Sequence, residues 1–157
     1  MVAPGASISQ SSACRIRNMS RVRGKNTGPE RLVRSLLHRM GYRFRLHVAK
    51  LPGKPDIVMA RHHTVVFVNG CFWHQHPGCK RAGRPATHIE FWNKKLDGNI
   101  ARDTRNYTLL REQSWRVIMV WECQIKDLDA LAQRLEQELR PDTTAPARSR
   151  KDSSSTD

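Results

Sequence analysis

Residues 63–79 read HTVVFVNGCFWHQHPGC, a β-branched run that passes directly into a loop holding Cys71, His74, His76 and Cys79 around a Phe-Trp pair. Thr64 to Asn69 carry side chains that pack well on a pleated surface, so the first half predicts a strand. YRFRL and DIVMA upstream and WRVIMVWE downstream are of the same kind, and LPGKP and ARHH break the run between them. Helical patterns surround these four strands. TGPERLVRSLLHRMG offers Thr27 as N-cap and Glu30 in the first turn, then Leu32, Val33, Leu36, Leu37 and Met40 at helical spacing before Gly41. Residues 90–113 are polar with Phe91, Trp92, Leu96, Ile100, Tyr107 and Leu110 recurring on a helical period, and DLDALAQRLEQEL closes the pattern. The order helix, three strands, helix, strand, helix predicts an α/β fold with a central mixed β-sheet flanked by helices.

Outside this pattern the composition changes. The leader, 1–14, and the tail, 141–157, are rich in Ser, Thr, Pro and Ala, too poor in large apolar side chains to offset the entropy of ordering, and are expected to be disordered. Cys14, in the leader, reads as a free thiol without a role. In the tail Arg148, Arg150 and Lys151 balance Asp142, Asp152 and Asp157, so the formal charge of +14, from 28 Lys and Arg against 14 Asp and Glu, resides upstream. Such an excess attracts polyanions, nucleic acid foremost, although a basic structural protein would share it. Segment 15–26 holds Arg15, Arg17, Arg21, Arg23 and Lys25 with no acid and reads as an arm laid on phosphates. Residues 27–140 then form one domain of ordinary size. No apolar run approaches the roughly 20 residues of a membrane span, and no secretory signal precedes the arm. The expectation is a cytoplasmic, monomeric protein.

Cys71, His76, Cys79 and Cys123 follow one another with four, two and 43 residues between them, a spacing for a structural zinc. Closing the long loop costs about 3 to 4 kcal/mol of chain entropy. A structural zinc supplies on the order of 10 kcal/mol, so the ion wins. By spacing alone, His74 competes with His76 for the fourth position. Asp56 follows the Pro-Gly-Lys-Pro turn at the start of a strand, where a rigid backbone presents an oxygen ligand suited to magnesium. If the strand ending at Asn69 lies alongside, a carboxylate, a strand carbonyl and an imidazole converge, which suits metal-assisted hydrolysis of a phosphate ester. Phe72 and Trp73, on the polar loop, and Trp92 read as base-stacking surfaces, whereas Trp115 and Trp121 read as core.

LPGKPD, VFVNGCFWH, EFWNKK, NIARD and WRVIMVWEC, in this order and spacing, closely resemble the very-short-patch-repair (Vsr) DNA mismatch endonucleases from about Asn18 to Arg140. The resemblance implies a restriction-endonuclease-like fold with one structural zinc. It also implies an enzyme acting on double-stranded DNA that nicks one strand 5′ of the thymine in a T:G mismatch, the product of 5-methylcytosine deamination. Under it, Asp56 and the backbone carbonyl of Val68 hold magnesium, His74 transfers protons, Asp103 orients His74, and Glu30 is a further acidic group. His76 then joins Cys71, Cys79 and Cys123 on zinc. Phe72, Trp73 and Trp92 form a wedge entering from the major groove, with Met19 inserting from the minor groove, while Lys95 and Asn99 contact the mismatch. Two departures stand out. Asn69 occupies a position where a relative has histidine, so an amide replaces a group able to exchange protons. Pro77 and Gly78 make the gap before Cys79 one residue longer. A zinc-stabilised DNA-binding module without activity, or a restriction-type nuclease cutting both strands, are the rival readings, and other repair proteins are possible partners.

Overall fold

The computed structural model describes residues 25–140, and the leader, the tail and most of the basic arm lie outside them. The chain runs α1 (Gly28–Arg39), β1 (Arg45–Leu46), β2 (Ile57–Met59), β3 (Thr64–Asn69), α2 (Ile89–Glu112), β4 (Arg116–Trp121) and α3 (Leu128–Leu139), with three short 3-10 turns between. The expected order of helices and strands is therefore the observed one. The four strands form one sheet in the order β1-β2-β3-β4, with β1–β2 and β2–β3 antiparallel and β3–β4 parallel. No helix among the described residues is long and apolar enough to cross a membrane.

Both faces of the sheet are covered, which is why the strands read as continuous apolar runs. Ile57, Met59, Val66, Ile118 and Val120 point to one side, against Val33, Leu36 and Leu37 of α1 and Leu131, Leu135 and Leu139 of α3. Alternate residues Val58, Val65 and Phe67 point to the other, against Tyr107 and Leu110 of α2. On α2 only Leu96, Tyr107 and Leu110 are buried, while Phe91 and Ile100 of the same apolar pattern are exposed.

The start of α1 differs from a reciprocal capping box. Thr27 Oγ1 accepts the Glu30 N–H at 3.3 Å, but the Glu30 carboxylate reaches one residue further back, to the Asn26 N–H at 2.9 Å. The helix thereby fixes the point at which the basic arm enters the domain.

Candidate active site

Sheet register brings the chemistry together. Antiparallel pairing places Asp56, just before β2, beside the C-terminal end of β3. Parallel pairing sets Asn69 opposite Trp121, so Cys71 and Cys123, each two residues further on, leave the sheet side by side. The long separation between the cysteines is thus closed by strand pairing, and the metal site does not bear that entropy alone.

His76 Nδ1 lies 3.3 Å from Cys123 Sγ and 3.8 Å from Cys71 Sγ, and with Cys79 the four ligand atoms all lie within 4.8 Å of one another. Donors around a tetrahedral ion at roughly 2.0–2.3 Å stand about 3.3–3.8 Å apart, so this cluster has the dimensions of a closed metal site. Gly78 takes φ +71, a left-handed conformation that glycine adopts without strain, and the longer loop still delivers Cys79. Trp121 was expected in the core. Instead it is half-exposed and stacks on the His76 ring at 4.3 Å and 11°, forming a wall of the metal cluster. Burial pushes the Cys71 thiol up to about 11, whereas the Arg81 backbone N–H pulls the Cys79 thiol down. A metal ion must displace thiol protons, so uptake should release about two to three of them near neutral pH and fewer as pH approaches 9. Calorimetry in two buffers of different ionisation enthalpy measures this count.

The second constellation is a cavity of about 640 Å³ whose lining includes Glu30, Asp56, Val68, Asn69, His74 and Asp103. All the residues singled out for catalysis therefore face one space. Asp56 Oδ2 accepts the Val68 N–H at 2.8 Å, and among the described residues no partner is recorded for its other oxygen. Burial raises the Asp56 pKa above the usual carboxylate range, the negative charge of Glu30 adds to this, and the Val68 N–H offsets part of it. A carboxylate so held is short of positive charge, which fits a divalent cation. His74 Nδ1 pairs with Asp103 Oδ2 at 2.5 Å, and among the described residues its Nε2 has no partner. Glu30 is only 4% exposed and is engaged by Thr27 Oγ1, the Asn26 N–H and Arg34 at 2.8–3.0 Å, so it acts on the cavity through its charge. Asn69, 3% exposed, donates to the Tyr107 hydroxyl at 2.9 Å.

Tyr107, His47, Lys54 and Glu122 also line the cavity and were not foreseen as site residues. Lys54 sits within the quoted turn, and Tyr107 is one helical turn past Asp103, a spacing that puts both on one face. His47 and Glu122 carried no comparable signal.

Phe72, Trp73 and Trp92 form a triangle with ring centroids 5.1, 5.4 and 6.2 Å apart, half-exposed and outside both apolar cores. Phe91, 55% exposed, extends it edge-on to Trp92. The loop that carries Phe72 and Trp73 is tied to α2, which carries Trp92 and Phe91. Asn99 Nδ2 donates to the Trp73 carbonyl at 3.0 Å, and Gln75 donates to the Phe72 carbonyl at 2.7 Å. Arg84 in turn donates to Gln75, Asn93 and Asp97. Asn99, expected at a base edge, thus commits one amide donor to bracing the loop, while Lys95 one turn earlier is exposed. Met19 and arm residues 15–24 lie outside the described residues.

The fold is shared with a solved catalytic domain. A solved structure, the homing endonuclease I-Bth0305I catalytic domain, superposes with a TM-score of 0.51 at 19% identity, covering 72% of this chain and 94% of that domain. Residues 9–81 match the family model described as DNA mismatch endonuclease Vsr. The type II nicking enzyme V.XorIIP of Xanthomonas oryzae is 50% identical over 123 residues, 78% of this chain and 90% of its own length. The DNA mismatch endonuclease Vsr of Escherichia coli is 41% identical over 130 residues, 80% of this chain and 83% of its own. The chain belongs to the Vsr family of DNA mismatch endonucleases.

Proposed function

We propose that the protein is an intracellular, magnesium-dependent endonuclease that nicks one strand of duplex DNA 5′ of the thymine in a T:G mismatch. The observation that carries this reading is the shared cavity. Asp56, the His74–Asp103 pair and Trp73 all face it, so a base step opened by the aromatic triangle leaves its phosphate among hydrolytic groups. Asp56 and the Val68 carbonyl would hold the magnesium, which supplies charge neutralisation at phosphorus and acidifies a water when bound. His74 transfers a proton at Nε2 between solvent and the reacting oxygens, and Asp103 fixes which ring nitrogen is free to do so. Cys71, His76, Cys79 and Cys123 hold a structural zinc that sets the loop.

The wedge supplies selectivity. Unstacking a base step costs a few kcal/mol, and less at a mismatch, so Phe72, Trp73 and Trp92, with Met19 from the arm, open a T:G step sooner than a paired one.

Incubation of the protein and magnesium with a T:G duplex and its T:A counterpart tests this. The expected result is a single nick 5′ of the mismatched thymine and an intact T:A duplex. Equal cutting of both strands in both duplexes would favour a restriction-type nuclease, and binding without cutting a DNA-binding module. Asp103→Asn should lower the single-turnover rate about 100-fold without changing DNA affinity, since His74 would lose the partner that orients it and a general acid–base group contributes on this scale.

A further inference from the structure

Helix α2 engages the end of β3 and its loop at regular intervals. Asn99 holds the Trp73 carbonyl, Asp103 holds His74, and Tyr107 receives the Asn69 amide, each position one turn beyond the last. The first two contacts fix a wedge residue and a proton-transfer residue. The third has a different character, because the tyrosine is the acceptor. A phenol can accept and donate at once. With Asn69 donating to its oxygen, the Tyr107 hydrogen remains to be placed, and among the described residues no acceptor for it is recorded.

Several features aim that hydrogen at a ligand. The residue is only 8% exposed, yet it lines the cavity together with Asp56, His74 and Asp103. Its ring is held in the second apolar core, 4.9 Å from Phe67, so the hydroxyl cannot swing away to water. A buried donor without an acceptor is costly, which makes a cavity ligand rich in acceptor oxygens the natural partner. The hydroxyl also keeps its proton. Burial first, and then the negative charges of Asp103 and Asp56, push its pKa up to about 12. Asn69 lines the same cavity, and its amide donates to the phenol and so positions it.

We propose that Tyr107 is a further phosphate-contacting residue of this site, its hydroxyl held by Asn69 and donating to a non-bridging oxygen of the scissile phosphate. This rests on the nuclease reading above, and it gives the phenol hydrogen an acceptor that is not recorded among the described residues. No covalent step is involved.

The test is single-turnover nicking of a T:G duplex with magnesium by wild type and Tyr107→Phe, which removes one oxygen and keeps the ring. A preorganised donor to developing negative charge is worth on the order of 100-fold, so Tyr107→Phe should slow nicking by about that factor with DNA affinity unchanged and melting temperature lowered by only a few degrees, the Asn69 amide having lost its acceptor. Duplexes carrying one sulfur in either stereochemical position at the scissile phosphate separate contact from architecture. Wild type should be slowed by one diastereomer, and Tyr107→Phe should show little or no such penalty with that diastereomer. Nicking by Tyr107→Phe at the wild-type rate would overturn the proposal. So would a slow variant that retains both wild-type sulfur effects, which is the mark of a packing role. Failure of the wild type to nick would instead remove the nuclease reading, and this contact with it.

Discussion

Asp56→Asn should abolish detectable nicking, a loss of at least about 1,000-fold, and at the same time make the magnesium-free protein more stable. The two effects have one cause. Asp56 is buried beside Glu30 with its pKa raised, so the ionised form is disfavoured in the folded state. For a carboxylate whose folded pKa exceeds its unfolded value, stability is gained as pH falls through the folded pKa and is lost above it. At neutral pH the charge therefore strains the fold until a cation arrives. The amide keeps an oxygen to accept the Val68 N–H, now made by Asp56 at 2.8 Å, but carries no charge. Relief of such functional strain is worth about 1 kcal/mol, or roughly 4 °C in melting temperature. The comparison belongs in buffer without magnesium and without chelator, so that the cysteine site keeps its ion. A less stable variant, or one that nicks normally, would show that the carboxylate holds no cation.

Cys123→Ser should have the larger structural effect. A closed site of four protein donors contributes on the order of 10 kcal/mol, which is comparable with the whole stability of a domain at about 5–15 kcal/mol. Strand pairing still brings Cys71 and Cys123 together, and Asn99 and Asp103 still hold Trp73 and His74, but without the ion His76 and Cys79 lose the centre that joins them to the sheet. The variant should lack the ion, fail to nick, and be largely unfolded at 37 °C, with trypsin cutting first at Lys80, Arg81 or Arg84 beside the loop. Wild-type zinc content and melting temperature in this variant would dissolve the proposed site.

Most of the architecture was legible because hydrophobic period and turn chemistry agreed along the chain. β3 is buried on both faces and β4 on one, with its other face half-buried, so both could be read as apolar runs, and α1 announced itself through Thr27 and its apolar stripe. The expected site residues could be gathered because strand register, a property of the sheet, places Asp56 and the loop cysteines at one edge. Side-chain direction was harder to read. Trp121 ends an apolar strand yet faces the cysteine cluster, since the last residue of β4 lies beyond the helices that cover its neighbours. Phe91 and Ile100 fit a helical period but fall on the exposed side of α2, whose long polar surface makes the period ambiguous. Tyr107 fits the apolar period of α2 and its ring is core, while its hydroxyl belongs to the cavity. Sequence period reports burial of a residue, not of each atom.

A single loop, set by one ion, is proposed both to open the base step and to carry His74, and this coupling has a direct readout. It is tested most directly by placing 2-aminopurine beside the mismatch and following fluorescence and nicking in the same single-turnover reaction, for wild type and Trp73→Ala. Fluorescence should rise before the nick appears in wild type, and Trp73→Ala should lose the rise and most of the nicking together. Nicking by Trp73→Ala at the wild-type rate with no unstacking signal would contradict it.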